Sequence, residues 1–512
     1  MGDFLARLDD RLNPVLVKEV RQALKSRYFL IVFSFMLLAA LLITSGVLVF
    51  AAFEPAKPGS AFPLGMTVKP VFIAVLVCLA FAVLLVVPAA TFRALEQEET
   101  GRTYDLLVIT TSTPGAIIRG KLLAAVLQLV LFFSAVVPFL AVLYMVGDVD
   151  LPSAALAFLM LFGAAALLCM FGLCHAAVVR KKRWPTFHFV LCILGLSMAF
   201  WPIIVLVGTA IGADFGRHVT TADFWYAAAL ILSLYPCLFA FLYVGARVAV
   251  TFESANRSTA PRVVLTILWL VGTAWTAIFW FIQGHKGEEI WAVYAGLALG
   301  LLWLVAAWLS AEDDALSRRV ASEYPTSLFG RLLAGFYYPG SARGFLLLTA
   351  LALLSAAIAS AGISFSGSAS RHELFFPPIL AGYLLGYVGI PLAIMRMWLK
   401  RWIKPAHRGP TILLILVVGA ALPPFAKALA GWEASAGALE LVSPFLAGAE
   451  LFDKKKVAGP LAIAGLGALL AIALNVVPVI KALAFRRAAP ALPPQSAPAP
   501  VSAPPTPKSE GA

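Results

Sequence analysis

The chain of 512 residues is 61% hydrophobic and only 13% charged, and its formal net charge is +13. A soluble domain normally carries about 25% charged residues, so this composition excludes a soluble enzyme or a soluble binding module. It is typical of a polytopic integral membrane protein. The five cysteines all fall within apolar stretches and lack metal-ligand spacing, which indicates small buried side chains and predicts no metal site.

The N-terminal segment, residues 1–27, has the pattern of an amphipathic helix. Apolar residues recur at three-to-four spacing from Leu5 to Leu24, and most basic residues fall on the other face. Asn13 can cap a helix that begins at Pro14. The pattern predicts a basic amphipathic helix on the inner membrane surface, whose simplest role is to anchor the first span.

Twelve apolar stretches are each long enough to cross a bilayer, for which about 20 residues suffice. Each is expected to be helical, because irregular backbone cannot face lipid. The predicted spans are 28–53, 71–92, 122–146, 153–179, 187–211, 224–250, 263–283, 290–310, 344–365, 374–395, 410–430 and 458–485.

The distribution of basic residues predicts the orientation of the spans. With a cytoplasmic N-terminus and strict alternation, 30 of the 39 Lys and Arg residues fall on the inner side and 9 on the outer side. Basic residues favour cytoplasmic loops, so both termini are predicted to be cytoplasmic in a cell (inner or plasma) membrane. The Pro- and Ala-rich segment 486–512 is predicted to be a disordered cytoplasmic tail.

The segment 93–121, between the second and third spans, is too long and too patterned for a plain connector. It begins with several acids, continues with the short apolar run DLLVI (residues 105–109), and ends in a Thr- and Pro-containing turn. Thr113 can cap a helix that starts at Pro114. An apolar patch outside the membrane usually contacts something, either a partner or the underside of its own helix bundle.

Two motifs around the first two spans resemble those of ABC-2-type permeases, the membrane subunits of ATP-driven exporters. The first is NPVLVKEVRQALKSR ahead of the first span. The second is an acid-rich turn followed by Asp-Leu-Leu, a Thr-rich turn ending in Pro, and Ile-x-x-Gly-Lys. The matching residues are Asn13, Pro14, Lys18, Glu19, Glu98, Asp105, Leu106, Leu107, Thr110, Thr113, Pro114, Ile117, Gly120 and Lys121.

This resemblance implies roles for both segments. Asn13, Pro14, Lys18 and Glu19 would belong to a connecting helix along the membrane. The loop 93–121 would form a cytoplasmic coupling helix that docks on a separate nucleotide-binding ATPase. The coupling residues implied are Glu98, Asp105, Leu106, Leu107, Thr110, Thr113, Pro114 and Lys121. ATP and Mg would then bind the partner, and this chain would need no cofactor.

The second half suggests a degenerate repeat. Acids follow the eighth span, and Gly330–Ala334 echoes Gly120–Ala124. We expect a six-helix permease domain at 28–260 and a second membrane domain of about six helices at 261–485. A six-plus-six arrangement and a family-specific extension without symmetry both remain open.

The chain contains no phosphate-binding loop of the G-x-x-x-x-G-K-[ST] type, so it is not expected to be an enzyme. Secondary transport is the alternative, but ion-coupled carriers usually place charged residues in mid-membrane, whereas here charges fall near span ends. A polytopic membrane enzyme is the other alternative. The expected partners are the ATPase and membrane lipid, with a homodimer or second permease left open, and no nucleic acid; the apolar spans favour a lipid-like cargo.

Overall fold

The structure of the chain, a computed structural model, is helical and contains no strand in any residue that it describes. The described residues are 14–53, 68–100, 113–146, 149–179, 185–252, 254–285, 287–367, 371–430, 443–444, 446–447 and 457–485.

The helices are numbered in chain order. Those of the first half are α1 Pro14–Leu24, α2 Arg27–Phe53, α3 Lys69–Ala80, α4 Val87–Thr100, α5 Pro114–Val146, α6 Leu151–Val179, α7 Pro185–Gly212 and α8 Ala222–Val250. A π-helical segment, Phe81–Val86, joins α3 to α4, and a 3₁₀ turn, Phe215–Thr220, follows α7. The others are α9 Thr259–Ile282, α10 Glu288–Ser310, α11 Arg318–Ser322, α12 Leu328–Tyr337, α13 Ser341–Phe365, α14 Arg371–Met397, α15 Pro405–Ala430 and α16 Ala458–Leu483.

Within the described part of the chain, twelve helical stretches are long and apolar enough to cross a membrane. They correspond one to one with the twelve predicted spans, and the second span is built from α3, the π-helical segment and α4. The prediction of an all-α polytopic integral membrane protein is therefore confirmed, and the chain is a multi-pass membrane protein.

The helices around the predicted loop 93–121 run further than hydropathy indicated. The second span was predicted to end at residue 92, but its helix continues to Thr100. The third was predicted to start at residue 122, but its helix begins at Pro114. Hydropathy marks where a helix leaves the apolar layer, whereas backbone hydrogen bonding can continue for several polar turns. Residues 101–112 of that segment are outside the described residues.

The chain divides into two compact units, and the first comprises Met1–Phe252 and Arg257–Phe279. The second span lies at its centre, where Leu76, Leu79, Val83 and Leu84 are fully buried. It contacts the first, third, fourth and fifth spans. This central position means that any movement of the second span would be transmitted to most of the unit.

The second and fourth spans approach closely at a glycine. A Cβ atom on Gly172 would lie 2.6 Å from the carbonyl oxygen of Pro88. Thr91 Oγ1 donates to the same oxygen at 2.7 Å and to Cys169 O at 3.3 Å. Small residues let membrane helices pack backbone to backbone, and hydroxyl groups add hydrogen bonds there.

The second unit comprises Glu253–Asn256 and Trp280–Ala512. Its closest helix pair is α14 with α16. Added Cβ atoms on Gly382 and Gly389 would lie 2.7 Å from Ala464 O and 2.6 Å from Ala471 Cβ. These small residues are spaced so that they fall on one face of each helix, which allows the close packing.

The division between the units falls at Phe279 and Trp280, inside the seventh span. The domain boundary at residue 260 stays a prediction. The two related pentapeptides also lie in different settings. Gly120–Ala124 is part of the long helix of the third span, and Gly330–Ala334 lies in the ten-residue helix α12. The six-plus-six repeat therefore stays a prediction.

Candidate functional site: the junction of α1 with the second and third spans

Lys121 joins three segments of the first unit at a single atom. Its Nζ donates a hydrogen bond to Glu19 Oε1 on α1 at 2.7 Å and another to Ala94 O on α4 at 3.0 Å. The side chain of Lys121 is 1% exposed and that of Glu19 is 12% exposed. A buried ammonium group must be paired to be tolerated, so this contact fixes α1 against the second and third spans.

The helix α1 packs on the first unit through one side. Leu16 is buried against the unit, whereas Lys18 and Arg21 are exposed. The helix begins at Pro14, as predicted, and Glu19 lies on the side that meets α5. The neighbouring Gly120 and Ala124 are small and buried on α5.

The start of the third span is capped as the sequence predicted. The backbone N–H of Ala116 donates to Thr113 Oγ1 at 3.3 Å and to Thr113 O at 2.8 Å. Pro114 occupies the first helical position, where its missing N–H costs nothing. The cap therefore defines where the predicted loop ends, two turns before Lys121.

A cleft of about 850 Å³ opens beside this junction. One end is polar and includes Lys18, Glu19, Arg93 and Lys121; the other end is apolar and aromatic. The apolar lining residues include Phe29, Val32, Phe81, Leu85, Val86, Phe132, Phe189 and Ile193. The volume lies within the range of about 300–1,000 Å³ that is usual for ligand sites.

The π-helical segment forms part of the wall of this cleft. Val87 N–H donates to Ala82 O, five residues back, which is the π-helical hydrogen bond. Phe81, Leu85 and Val86 from this segment line the cleft. Single π-helical turns within α-helices occur frequently at functional sites. The π-helical wall therefore favours the cleft as a candidate site.

Arg93 projects from α4 at the polar end of the cleft. Its guanidinium carbon lies 4.1 Å from the centroid of the Phe189 ring on α7, a cation–π contact. Within the described residues no carboxylate pairs with Arg93, and its side chain is exposed. Sequence reasoning placed this residue at the start of the loop but missed its role in the cleft, because the contact with Phe189 spans almost a hundred residues.

The predicted site residues divide into two groups. The structure brings Glu19 and Lys121 into direct contact, places Lys18 at the cleft, and puts Thr113 and Pro114 at the start of α5. Pro14 and Glu98 are helical in backbone. The remaining predicted site residues lie outside the described residues: Asn13, Asp105, Leu106, Leu107 and Thr110.

The second unit contains a separate buried polar network. Arg396 donates from Nη1 to Asn475 Oδ1 at 2.9 Å and from Nη2 to Ser341 Oγ at 2.6 Å. Its Nε lies 3.4 Å from Asp314 Oδ2. Asn475 in turn donates to Gly389 O at 2.8 Å. Asn475 on α16 therefore makes two interhelical hydrogen bonds to α14.

Asp314 caps the helix that this network surrounds. It accepts from Ala342 N–H at 2.8 Å and from Ser341 O–H at 3.0 Å, at the start of α13. Two more buried arginines lie nearby: Arg408 contacts Ser341 Oγ at 3.3 Å, and Arg343 donates to Ala482 O at 2.9 Å. A carboxylate at a helix N-terminus is favoured by the helix dipole. The network therefore has a structural role, which is to stabilise the start of α13.

The segment between the eighth and ninth spans carries an exposed apolar face. Leu328, Phe329 and Leu332 on α12 are 79%, 71% and 55% exposed. Beside it, Tyr338 donates its hydroxyl to Glu323 O at 3.0 Å. Burial, with smaller contributions from Glu323 and from Tyr324, raises the pKa of Tyr338 above its ordinary value.

No protein-family model, curated protein or solved structure matches the chain.

Proposed function

We propose that the chain is the membrane-spanning permease subunit of an ABC-2-type exporter, driven by ATP that a separate nucleotide-binding subunit hydrolyses. The observation that carries the proposal is the ion pair between Glu19 and Lys121. Each residue belongs to one of the two motifs that resemble this family. Their buried contact links α1 to the helices that border the predicted coupling segment.

This arrangement suits transmission of force from a docked partner. A push on residues 101–112 would act directly on the ends of α4 and α5, which border that segment. Because Lys121 contacts both α1 and α4, the same push would also move α1 and the centrally placed second span. Coupling between two sites requires a structural element whose position depends on what is bound at each site.

The test is co-purification of the tagged chain from its native membranes in mild detergent, followed by mass spectrometry and an ATPase assay. The variant replaces Asp105, Leu106 and Leu107 by Ala. We expect a nucleotide-binding chain to accompany the native protein and to be lost from the variant. If no nucleotide-binding chain accompanies the native protein, the proposal is wrong.

A matched control replaces three apolar residues of α12, Leu328, Phe329 and Leu332, by Ala. These side chains are exposed in the structure and belong to segment 311–342, between the eighth and ninth spans. Retention of the ATPase in this variant assigns docking to segment 93–121 alone. Loss of the ATPase in both variants assigns it to both segments.

Secondary transport, the alternative, has its best support in the polar network of Arg396, Asp314 and Asn475. Ionisable residues in spanning helices, such as Arg396 near the end of the tenth span, often mark transport pathways. Replacing Arg396 by Met separates the two functions. An ATP-driven exporter should lose only stability, whereas an ion-coupled carrier should lose its proton- or sodium-gradient-driven flux in ATPase-free vesicles while remaining folded.

A further inference from the structure

The cleft beside α1 combines a cationic end with an apolar interior, and this combination defines the chemistry of a ligand. Lys18, Arg93 and Lys121 line its polar end, with Glu19 as the one acidic side chain among the described lining residues. Glu19 and Lys121 are paired with each other. Arg93 makes a cation–π contact with Phe189 and has no carboxylate partner among the described residues, so its positive charge is available to an anionic group.

The length of the cleft matches one leaflet of a bilayer. Its lining follows the second span from Arg93 to Phe81, a distance of about 18 Å at 1.5 Å per residue. One leaflet contributes roughly 15 Å of hydrocarbon. A headgroup bound near Arg93 would thus place an acyl chain along Leu85 and Phe132 and end it near Phe81.

The cleft also has an opening to the surrounding membrane. The first span packs on α3 but only lightly on the π-helical segment. Tyr28 and Phe81, which line the cleft, are 57% and 52% exposed. Because these side chains face outward from the unit, a ligand could enter sideways between the first and second spans without crossing water.

We propose that this cleft binds an anionic phospholipid-type amphiphile, with its phosphate held by Arg93 and one acyl chain held along the π-helical segment. Arg93 is suited to this role because its planar guanidinium can hold two phosphate oxygens at once. The contact with Phe189 orients the guanidinium before the ligand arrives. This inference stands apart from the proposed function, because binding needs neither an ATPase nor a nucleotide.

The experiment is native mass spectrometry of the delipidated full chain in detergent. It is titrated in parallel with phosphatidylglycerol, with phosphatidylcholine of the same acyl chains, and with glycerol 3-phosphate, which has the headgroup phosphate and no chain. We expect phosphatidylglycerol to bind at one saturable site, phosphatidylcholine to bind more weakly, and glycerol 3-phosphate at equal concentration to leave the lipid complex intact.

The variants test the charge and the chain position separately. Arg93→Gln should weaken phosphatidylglycerol binding about fivefold, the usual effect of removing one basic residue on the binding of an anionic lipid. Two matched controls remove exposed arginines that do not line the cleft, Arg119→Gln and Arg21→Gln, and neither should change binding. Ala90→Phe keeps every charge but fills the cleft, and it should abolish the saturable site.

The outcomes decide the proposal in either direction. Equal losses in Arg93→Gln and Arg119→Gln would mean annular lipid held by general surface charge, and the proposal would be wrong. Displacement of lipid by glycerol 3-phosphate would mean a simple anion site without a chain position, which also overturns it. Since the chain is studied alone, a failed lipid titration leaves the test of the proposed function untouched, and the reverse also holds.

Discussion

Lys121 Nζ lies 2.7 Å from Glu19 Oε1, although 102 positions separate the two residues in the sequence. The lysine is the more deeply buried partner, with 1% of its side chain exposed against 12% for the glutamate. The pair is thus asymmetric. Loss of the glutamate leaves the buried ammonium group of Lys121 unpaired, whereas loss of the lysine leaves a carboxylate that water can partly reach.

This asymmetry predicts unequal effects of the two single substitutions. Glu19→Gln should destabilise the protein by about 3 kcal/mol, the usual cost of leaving one member of a buried pair unpaired. Lys121→Met should cost less, because the exposed fraction of Glu19 allows hydration. The measurement is the thermal unfolding midpoint in detergent, followed by size-exclusion chromatography.

The double variant Glu19→Gln/Lys121→Met supplies the control for this pair. Removing both charges should recover part of the stability lost in Glu19→Gln, because no buried charge then remains unpaired. Arg21→Gln, on the same helix but exposed, should leave the midpoint unchanged. If the double variant loses more stability than the two single variants lose in sum, Lys121 is not a buried ammonium group that depends on its partner.

The cap at the start of the third span predicts a local effect of Thr113→Ala. This change removes the Thr113 hydroxyl that accepts from Ala116 N–H, and loss of such a cap typically costs about 1 kcal/mol. Hydrogen exchange of the amides in the first turn of α5 should therefore become roughly five times faster. Thr113→Ser keeps the hydroxyl and should restore protection; equal exchange in both variants would rule out the side-chain cap.

The close approach of the second and fourth spans predicts a steric effect of Gly172→Ala. The new Cβ would meet Pro88 O at 2.6 Å, and overpacking of this kind typically costs about 1–3 kcal/mol. The unfolding midpoint in detergent should fall accordingly.

Gly46→Ala is the matched control for this steric effect. Gly46 also lies within a spanning helix, but no atom lies within 4 Å of its added Cβ. There the helix propensity of Ala should raise stability by up to about 1 kcal/mol. A fall of the same size in both variants would show that glycine flexibility matters at these positions and that the contact with Pro88 O does not.

Much of the fold was predictable because the bilayer imposes strict requirements on a sequence. A span must be apolar for about 20 residues and must be helical, so all twelve spans were found. The helix start at Pro14 and the cap at Thr113 were also predictable, because capping depends on neighbouring residues alone.

The tertiary contacts were not predictable in the same way. Lys121 and Glu19 were each singled out, but no local pattern indicated that their side chains would meet. The contact of Arg93 with Phe189 and that of Arg396 with Ser341 likewise depend on which helix faces pack together. Hydropathy also ended the second span too early and began the third span too late, since it measures the apolar layer rather than the helix.

The carboxylate at the start of α13 predicts a difference between two adjacent aspartates. Asp314 accepts from Ala342 N–H and Ser341 O–H and lies 3.4 Å from Arg396 Nε, whereas Asp313 is exposed and contacts only Ala315 N–H, at 3.4 Å, among the hydrogen bonds that the structure describes for it. Asp314→Asn should cost about 1–2 kcal/mol through the weakened cap and the lost pairing with arginine, a value kept low because the side chain of Asp314 is 41% exposed.

Asp313→Asn removes the same charge one residue away and should change stability by less than about 0.5 kcal/mol. Both variants are compared by thermal unfolding in detergent at low and at high salt. The loss in Asp314→Asn should shrink little with salt, since Arg396 is 9% exposed and the pair is partly shielded from ions. Equal losses in the two variants, both removed by salt, would show that general surface charge, rather than the cap on α13, is responsible for the effect.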